Sequence, residues 1–191
     1  MFVVSSNFIG KFKLGDNINH NLEILSLLYR QFDQASDYDK RLLCKPIILT
    51  IVSIIEAVLH DFHSRIQNNT FEGARNIAET VADYVRGKHL DELEKYITSA
   101  KKHDFFGVGS SKFYTVLDEL RRLRNRIHIQ NAKNDFYPDE YNAFSETRKR
   151  QAERVLEKTI KTMATKYARG PEYKYVRDFE LPWIEYFPFV E

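Results

Sequence analysis

Ile47-Ile48-Leu49-Thr50-Ile51-Val52-Ser53-Ile54-Ile55-Glu56-Ala57-Val58-Leu59-His60-Asp61-Phe62-His63-Ser64-Arg65-Ile66 runs without a glycine or a proline. Its many β-branched residues would suit a strand. However, Ile48, Ile51, Ile55, Val58, Leu59, Phe62 and Ile66 recur at steps of three and four, which keeps them on one face of a helix. The spacing predicts one long helix from Ile47 to about Asn69. Pro46 is placed in its first turn, where no amide hydrogen is required, and the preceding basic turn is the alternative start.

The same period extends in both directions. It predicts a helix over Asn19–Ala35 through Leu22, Ile24, Leu25, Leu28 and Phe32, and another over Phe71–Arg86 through Ala74, Ile77, Val81 and Val85, with Gly87 as its stop. A short helix is expected from Leu90 to about Lys101. Asp104–Ser111 reads as a loop with Ser110 or Ser111 as the following cap. Phe113, Val116, Leu117, Leu120, Leu123 and Ile127 then stripe a helix from about Ser111 to Gln130. Asn131–Tyr137 is read as a loop, and Pro138 as the start of a last long helix reaching about Ala168, before Gly170-Pro171.

The chain ends differ from this body. Phe2–Leu14 partly alternates, and Tyr173–Glu191 holds seven aromatic residues. Each end could form a short strand or an arm lying on a neighbour. The expected fold class is all-α: one helical bundle with a long central helix pair, spanning residues 1–191. Its helical body covers about 18–169, with an N-terminal arm over 1–15 and an aromatic C-terminal arm over 170–191.

A chain of 191 residues, 43% hydrophobic and 29% charged, can bury one substantial core, and low-complexity or membrane-embedded classes are not expected. The formal charge of +2 says little by itself, but its distribution is uneven. Four positive charges and no negative one lie between Arg121 and Arg126, and Arg148–Arg169 is also basic. Cys44 is the only cysteine, which excludes an internal disulfide and suits a reducing compartment. The first ten residues lack the basic start and long apolar run of a signal peptide. The apolar window Ile47–Leu59 is short for a bilayer span. A cytoplasmic protein with no membrane partner is the expectation.

Glu119-Leu120-Arg121-Arg122-Leu123-Arg124-Asn125-Arg126-Ile127-His128 carries the strongest chemical signal. At about 100° per residue, Arg124 falls about 40° from Leu120, His128 about 80°, Arg121 about 100° and Asn125 about 140°. These four share one flank of the apolar stripe, whereas Arg122 and Arg126 point elsewhere. Arginine presents a planar fork to phosphate and histidine exchanges a proton near neutral pH, so the flank suggests phosphodiester chemistry. The bland alternative is a basic helix end that complements the helix dipole.

Arg-Asn followed shortly by His near the end of a helix in a small all-helical protein resembles the HEPN superfamily (higher eukaryote and prokaryote nucleotide-binding domains). The resemblance covers at most Ile47–Arg169, with Arg121–His128 as its sharpest part. It implies a metal-independent endoribonuclease of the toxin or antiviral-defence type, with no cofactor and no metal ion. It also implies a homodimer with a composite interface site, RNA as substrate, and an antitoxin or other neutralising protein as partner. His128 would move the proton during attack of the ribose 2′-hydroxyl, Arg121 and Arg124 would stabilise the phosphoryl charge, and Asn125 would orient imidazole or phosphate. The spacing departs from the family pattern. Arg124-Asn125 has the usual dipeptide, but three residues separate Arg124 from His128. Arg122 and Arg121, with five and six intervening residues, fit the separation but lack the polar neighbour. Gln130 stands where some members carry a modifiable tyrosine. The alternative function is a non-catalytic helical adaptor that binds nucleotide, RNA phosphate or an acidic partner.

Four weaker signals remain. Ser53, Glu56, His60 and His63 form a polar stripe that could ligate zinc but reads better as a solvated face or a helix seam. If that stripe faces the arginine helix, Glu56 could pair with Arg121 or Arg124. Gly107-Val108-Gly109 superficially resembles a phosphate loop but lacks its Gly-Lys-Ser/Thr ending and preceding strand. Arg41 and Lys45 could lower the pKa of Cys44, but no histidine partner accompanies it and it is read as inert. Finally, the basic face from Arg148 to Lys166 is a better candidate for holding RNA than the acidic aromatic tail.

Overall fold

Ser36 starts the helix that organises the molecule. In the computed structural model, which describes residues 1–68, 76–109, 111–127, 139–170, 172 and 174–187, strand β1 (Phe2–Val4) and helix α1 (Phe12–Gln34) precede α2 (Asp37–Gln67). The Ser36 hydroxyl accepts the Asp39 amide at 3.2 Å, and Asp37 and Asp39 face the positive end of the helix dipole. These caps move the helix start ten residues ahead of the expected one, so Pro46 lies inside α2 rather than opening it. Proline forfeits one backbone bond there. The Thr50 hydroxyl takes up the Pro46 carbonyl at 2.8 Å.

The apolar face of α2 is buried as its period requires. Ile47, Ile48, Ile51, Ile55, Leu59 and Phe62 have no exposed surface. Each such side chain contributes about 1.5–3 kcal/mol through removal of apolar area. α2 packs against α1, α3 (Glu79–Arg86), α4 (Leu93–Lys102), α5 (Phe113–Asn125) and α7 (Glu146–Lys166). By length and composition alone α2 would qualify as a membrane span, which the window Ile47–Leu59 did not suggest. Here its apolar residues form the core of the bundle.

Several boundaries differ from expectation. α1 begins at Phe12, so the N-terminal arm ends at residue 11, and the helical body ends at Lys166 rather than 169. Asn76 takes a left-handed φ of 62° while its side-chain amide donates to the Lys166 carbonyl at 2.6 Å, so α3 starts only at Glu79. Residues 69–75, including the expected helix start at Phe71, lie outside the described residues, as do Asn131–Pro138. The expected last helix is divided into α6 (Glu140–Ala143) and α7. Phe144 turns inward to 2% exposure, and the Ser145 hydroxyl then caps α7 by accepting the Arg148 amide at 3.3 Å. The fold is therefore all-α in class, with seven helices and one two-stranded sheet among the described residues.

The two arms meet each other. β1 pairs antiparallel with β2 (Phe179–Leu181), setting Phe2 opposite Leu181 and Val4 opposite Phe179. Beyond β2 the chain is tied to α7 by two fully buried carboxylates. Glu157 accepts the Trp183 indole N–H at 3.2 Å, the Tyr186 amide at 3.0 Å and the Phe187 amide at 2.7 Å. It also pairs with Lys161 at 2.8 Å, and Lys161 in turn reaches Glu185 and the Phe187 carbonyl. Glu153 accepts the Tyr29 and Tyr186 hydroxyls and the Lys149 ammonium, the last two at 2.6 and 2.7 Å. Satisfying all these donors offsets the desolvation of the two charges.

Removing one charge from this network leaves Lys161 buried with fewer partners. Glu157→Gln is expected to cost about 3 kcal/mol or more in unfolding free energy, measured by urea titration. Trp183 is the only tryptophan, so its fluorescence also reports detachment of the arm.

His63 gives a second expectation. Its Nδ1–H donates to the Leu59 carbonyl at 2.7 Å, its ring stacks on Tyr96 with centroids 5.0 Å apart, and Nε2 finds no partner among the described residues. Burial, against the Leu59 bond, lowers its pKa from 6.5 to about 4. The folded state then binds fewer protons than the unfolded one, so stability should fall as pH drops from about 6.5 toward about 4, by roughly 3 kcal/mol. Unfolding curves across that range should show this slope, and His63→Leu should flatten it.

Candidate nucleic-acid interface

α5 buries Leu117, Leu120 and Leu123 against the bundle, which fixes the directions of the intervening arginines. Arg121 and Arg124 lie at the edge of this stripe, as the angular placement expects, but they turn to different neighbours. Arg124 Nη2 donates to Glu56 Oε2 on α2 at 2.6 Å. Arg121 Nε donates to Asp118 at 2.8 Å, and its Nη1 lies 3.1 Å from Glu94 on α4. Arg122 takes the other oxygen of Asp118 at 2.9 Å. Glu119, on the opposite side of α5, pairs with Arg148 of α7.

Three arginines thus meet Glu56, Glu94 and Asp118, and the local charge is balanced. Exposure separates the arginines. The Arg121 side chain retains 15% of its surface, whereas Arg124 retains 39%, so Arg124 is held at one end of its guanidinium and wet at the other. Asn125, the last residue of α5, is exposed beside it. Arg121 also borders a groove of about 710 Å³ between α4 and α5, whose walls carry Lys101 and Lys102 as well as Glu94 and Asp118.

The helix ends earlier than its apolar stripe predicts. The amides of Arg126 and Ile127 bond three residues back, to Leu123 and Arg124, which tightens the last turn and closes α5 at Asn125. Ile127, expected in the stripe, is 54% exposed. The placement of His128 on the same flank assumed a continuing helix. His128 and Gln130 lie outside the described residues, so the structure relates Arg121, Arg124 and Asn125 only to one another.

The weaker signals fall into separate roles. The polar stripe of α2 is divided: Glu56 holds Arg124, His60 Nδ1 lies 2.9 Å from the Tyr96 hydroxyl, and His63 is buried. Of the two readings, a solvated face or a helix seam, His63 takes the seam against Tyr96 of α4, and among the described residues no three His, Cys, Asp or Glu side chains are grouped as metal ligands. The amides of Val108 and Gly109 both donate to the Asp104 carboxylate at 3.0 Å. Despite burial, those bonds and the Tyr114 hydroxyl hold the Asp104 carboxyl below its usual range, so the protein supplies its own anion to this loop. Cys44 is fully buried, and burial pushes its thiol up to about 11 against the pull of Lys149 and Arg41. The lowering expected from its basic neighbours is outweighed.

Sequence reasoning missed Glu94 and Asp118 as arginine partners. Asp118 stands three and four residues before Arg121 and Arg122, a spacing that favours helical ion pairs and was legible. Glu94 lies on another helix and left no local signal. No protein-family model matches the chain, no curated protein matches it, and no solved structure matches its fold.

The Arg124–Glu56 pair is part-exposed and should contribute less than about 1 kcal/mol to stability. Glu56→Gln is accordingly expected to leave the urea midpoint nearly unchanged.

Proposed function

We propose that this chain is a HEPN-like, metal-independent endoribonuclease of the toxin or antiviral-defence type that acts in the cytoplasm as a homodimer. The observation that carries the proposal is the state of Arg124. Glu56 fixes its guanidinium across the α2–α5 seam, while two-fifths of its side chain stays open to solvent beside Asn125. A fixed, half-open guanidinium can bind a phosphoryl oxygen without first losing rotamer freedom.

In the proposed reaction the ribose 2′-oxygen attacks the adjacent phosphorus while His128 takes its proton. The 5′-oxygen of the next nucleotide leaves and receives a proton, so the products are a 2′,3′-cyclic phosphate and a free 5′-hydroxyl. Arg124, with Arg121 as the more enclosed second cation, stabilises the extra negative charge on the phosphoryl oxygens. Asn125 orients the phosphate or the imidazole. Two copies would bring two such helix ends together, and an antitoxin-like partner would act by covering them.

One observation favours a second reading, a non-catalytic adaptor that binds nucleotide, RNA phosphate or an acidic partner. Both arginines of the flank, and Arg122 beside them, already hold a carboxylate, which weakens the field that would draw RNA to it.

His128→Ala separates the two readings. The proposed enzyme should lose RNA cleavage by at least about a hundredfold, as expected on removing a general acid–base group, while still binding RNA. Unchanged cleavage would overturn the role given to His128, and RNA binding without cleavage in the wild type would support the adaptor.

A further inference from the structure

α7 carries seven lysines and arginines between Arg148 and Lys166, and the structure sorts them by face. Arg148 pairs with Glu119, Lys149 with Glu153, and Lys161 with Glu157 and Glu185. Arg150, Arg154 and Lys158 follow one another at steps of four along the outer side. None of these three makes an ion pair with a described carboxylate, and neither does Lys112 at the start of α5.

Lys112, Arg154 and Lys158 border an apolar groove of about 490 Å³. Its walls are Phe113 and Val116 of α5, Val155 of α7, and Phe187, with Val108 at one end. The remaining lining residues, Ser111 and Gln151, are neutral, so among the described residues no carboxylate faces the groove. Phe187 is 43% exposed, and the Arg154 guanidinium lies over the Tyr186 ring at 4.9 Å, which keeps its charge at the rim.

We infer that this groove binds single-stranded RNA, with a base seated against Phe113 and Phe187 and the flanking phosphates on Lys112, Arg154 and Lys158. Apolar floor, aromatic walls and unpaired cations together suit a strand whose bases are unstacked. The arginine flank of α5, balanced by its own acids, has less free charge for that task. An acidic protein segment would use the cations but would have no need of two partly exposed aromatic walls. The inference rests on the RNA-directed reading above and supplies its holding surface, away from the reacting groups.

The test uses the full chain and a fluorescein-labelled 2′-O-methyl oligonucleotide of about 12 nucleotides, which binds like RNA but has no free 2′-hydroxyl to react. Arg154→Gln/Lys158→Gln should weaken binding by about tenfold or more and reduce the salt slope by about 1.4, two cations at about 0.7 each. Phe187→Ala should lose about fivefold or more through stacking. Both charged side chains are at the surface, so the melting temperature should not move, and Lys158→Glu alone provides a second variant with the same expected direction. Wild-type affinity in these variants overturns the inference, as does displacement of the strand by a polyglutamate peptide of equal charge. Cleavage of unmodified RNA by His128→Ala is read separately. Lost groove binding with unchanged cleavage in His128→Ala sinks the nuclease alone, and intact groove binding with lost cleavage sinks the groove alone.

Discussion

Glu157 is the constraint on which the rest of the structure depends. A carboxylate with no exposed surface in the middle of α7 is tolerable only if every oxygen lone pair finds a donor, and all of those donors except Lys161 come from the last described stretch of the chain. The helix cannot pack this way without its tail, and the tail has no reason to follow this path without the helix. Because β2 precedes that stretch, the same attachment places Phe179 and Leu181 against β1 and draws the two ends of the chain together. Glu153 repeats the arrangement one turn earlier and extends it to Tyr29 of α1. Two helices, α1 and α7, and both arms are thereby fastened by two charges on one face of one helix.

How much of this was legible follows from what each feature depends on. The period of Ile47–Ile66 announced α2 because a buried helical face must repeat at 3.6, and no tertiary knowledge was required. Its true start was also written locally, in Ser36 and Asp39, but Pro46 offered a competing and more conspicuous boundary. The break before Ser145 was harder to see, since it depends on a pocket that accepts Phe144. Glu153 and Glu157 lie within the basic run Arg148–Lys166, where no local signal marks a buried carboxylate. Only the arrival of Trp183, Tyr186 and Phe187 from more than twenty residues away makes them internal.

The arginine helix shows the same division. Spacing correctly set Arg121 and Arg124 on the edge of the apolar stripe, because that follows from helix geometry alone. The Glu56 partner was also foreseeable once α2 and α5 were assumed to be neighbours. The stripe did not reveal where α5 stops, since Ile127 continues the apolar period yet lies exposed after a tightened last turn. Any chemistry at this end of the helix therefore depends on how the chain leaves Asn125, and no helical-wheel argument reaches that far.

A net charge of +2 concealed an unequal use of cations. On the inner face of α7, Lys149 and Lys161 are consumed in holding the tail, and on α5 each arginine of the flank is matched by an acid. What remains is the outer row of α7, where the described neighbours on α5 and the preceding loop contribute Lys112 and apolar side chains but no carboxylate. The two faces of α7 are not independent. Phe187, one wall of the outer groove, is held in place by an amide that donates to Glu157 on the inner face. The buried carboxylate that closes the fold thus also positions one wall of the outer groove.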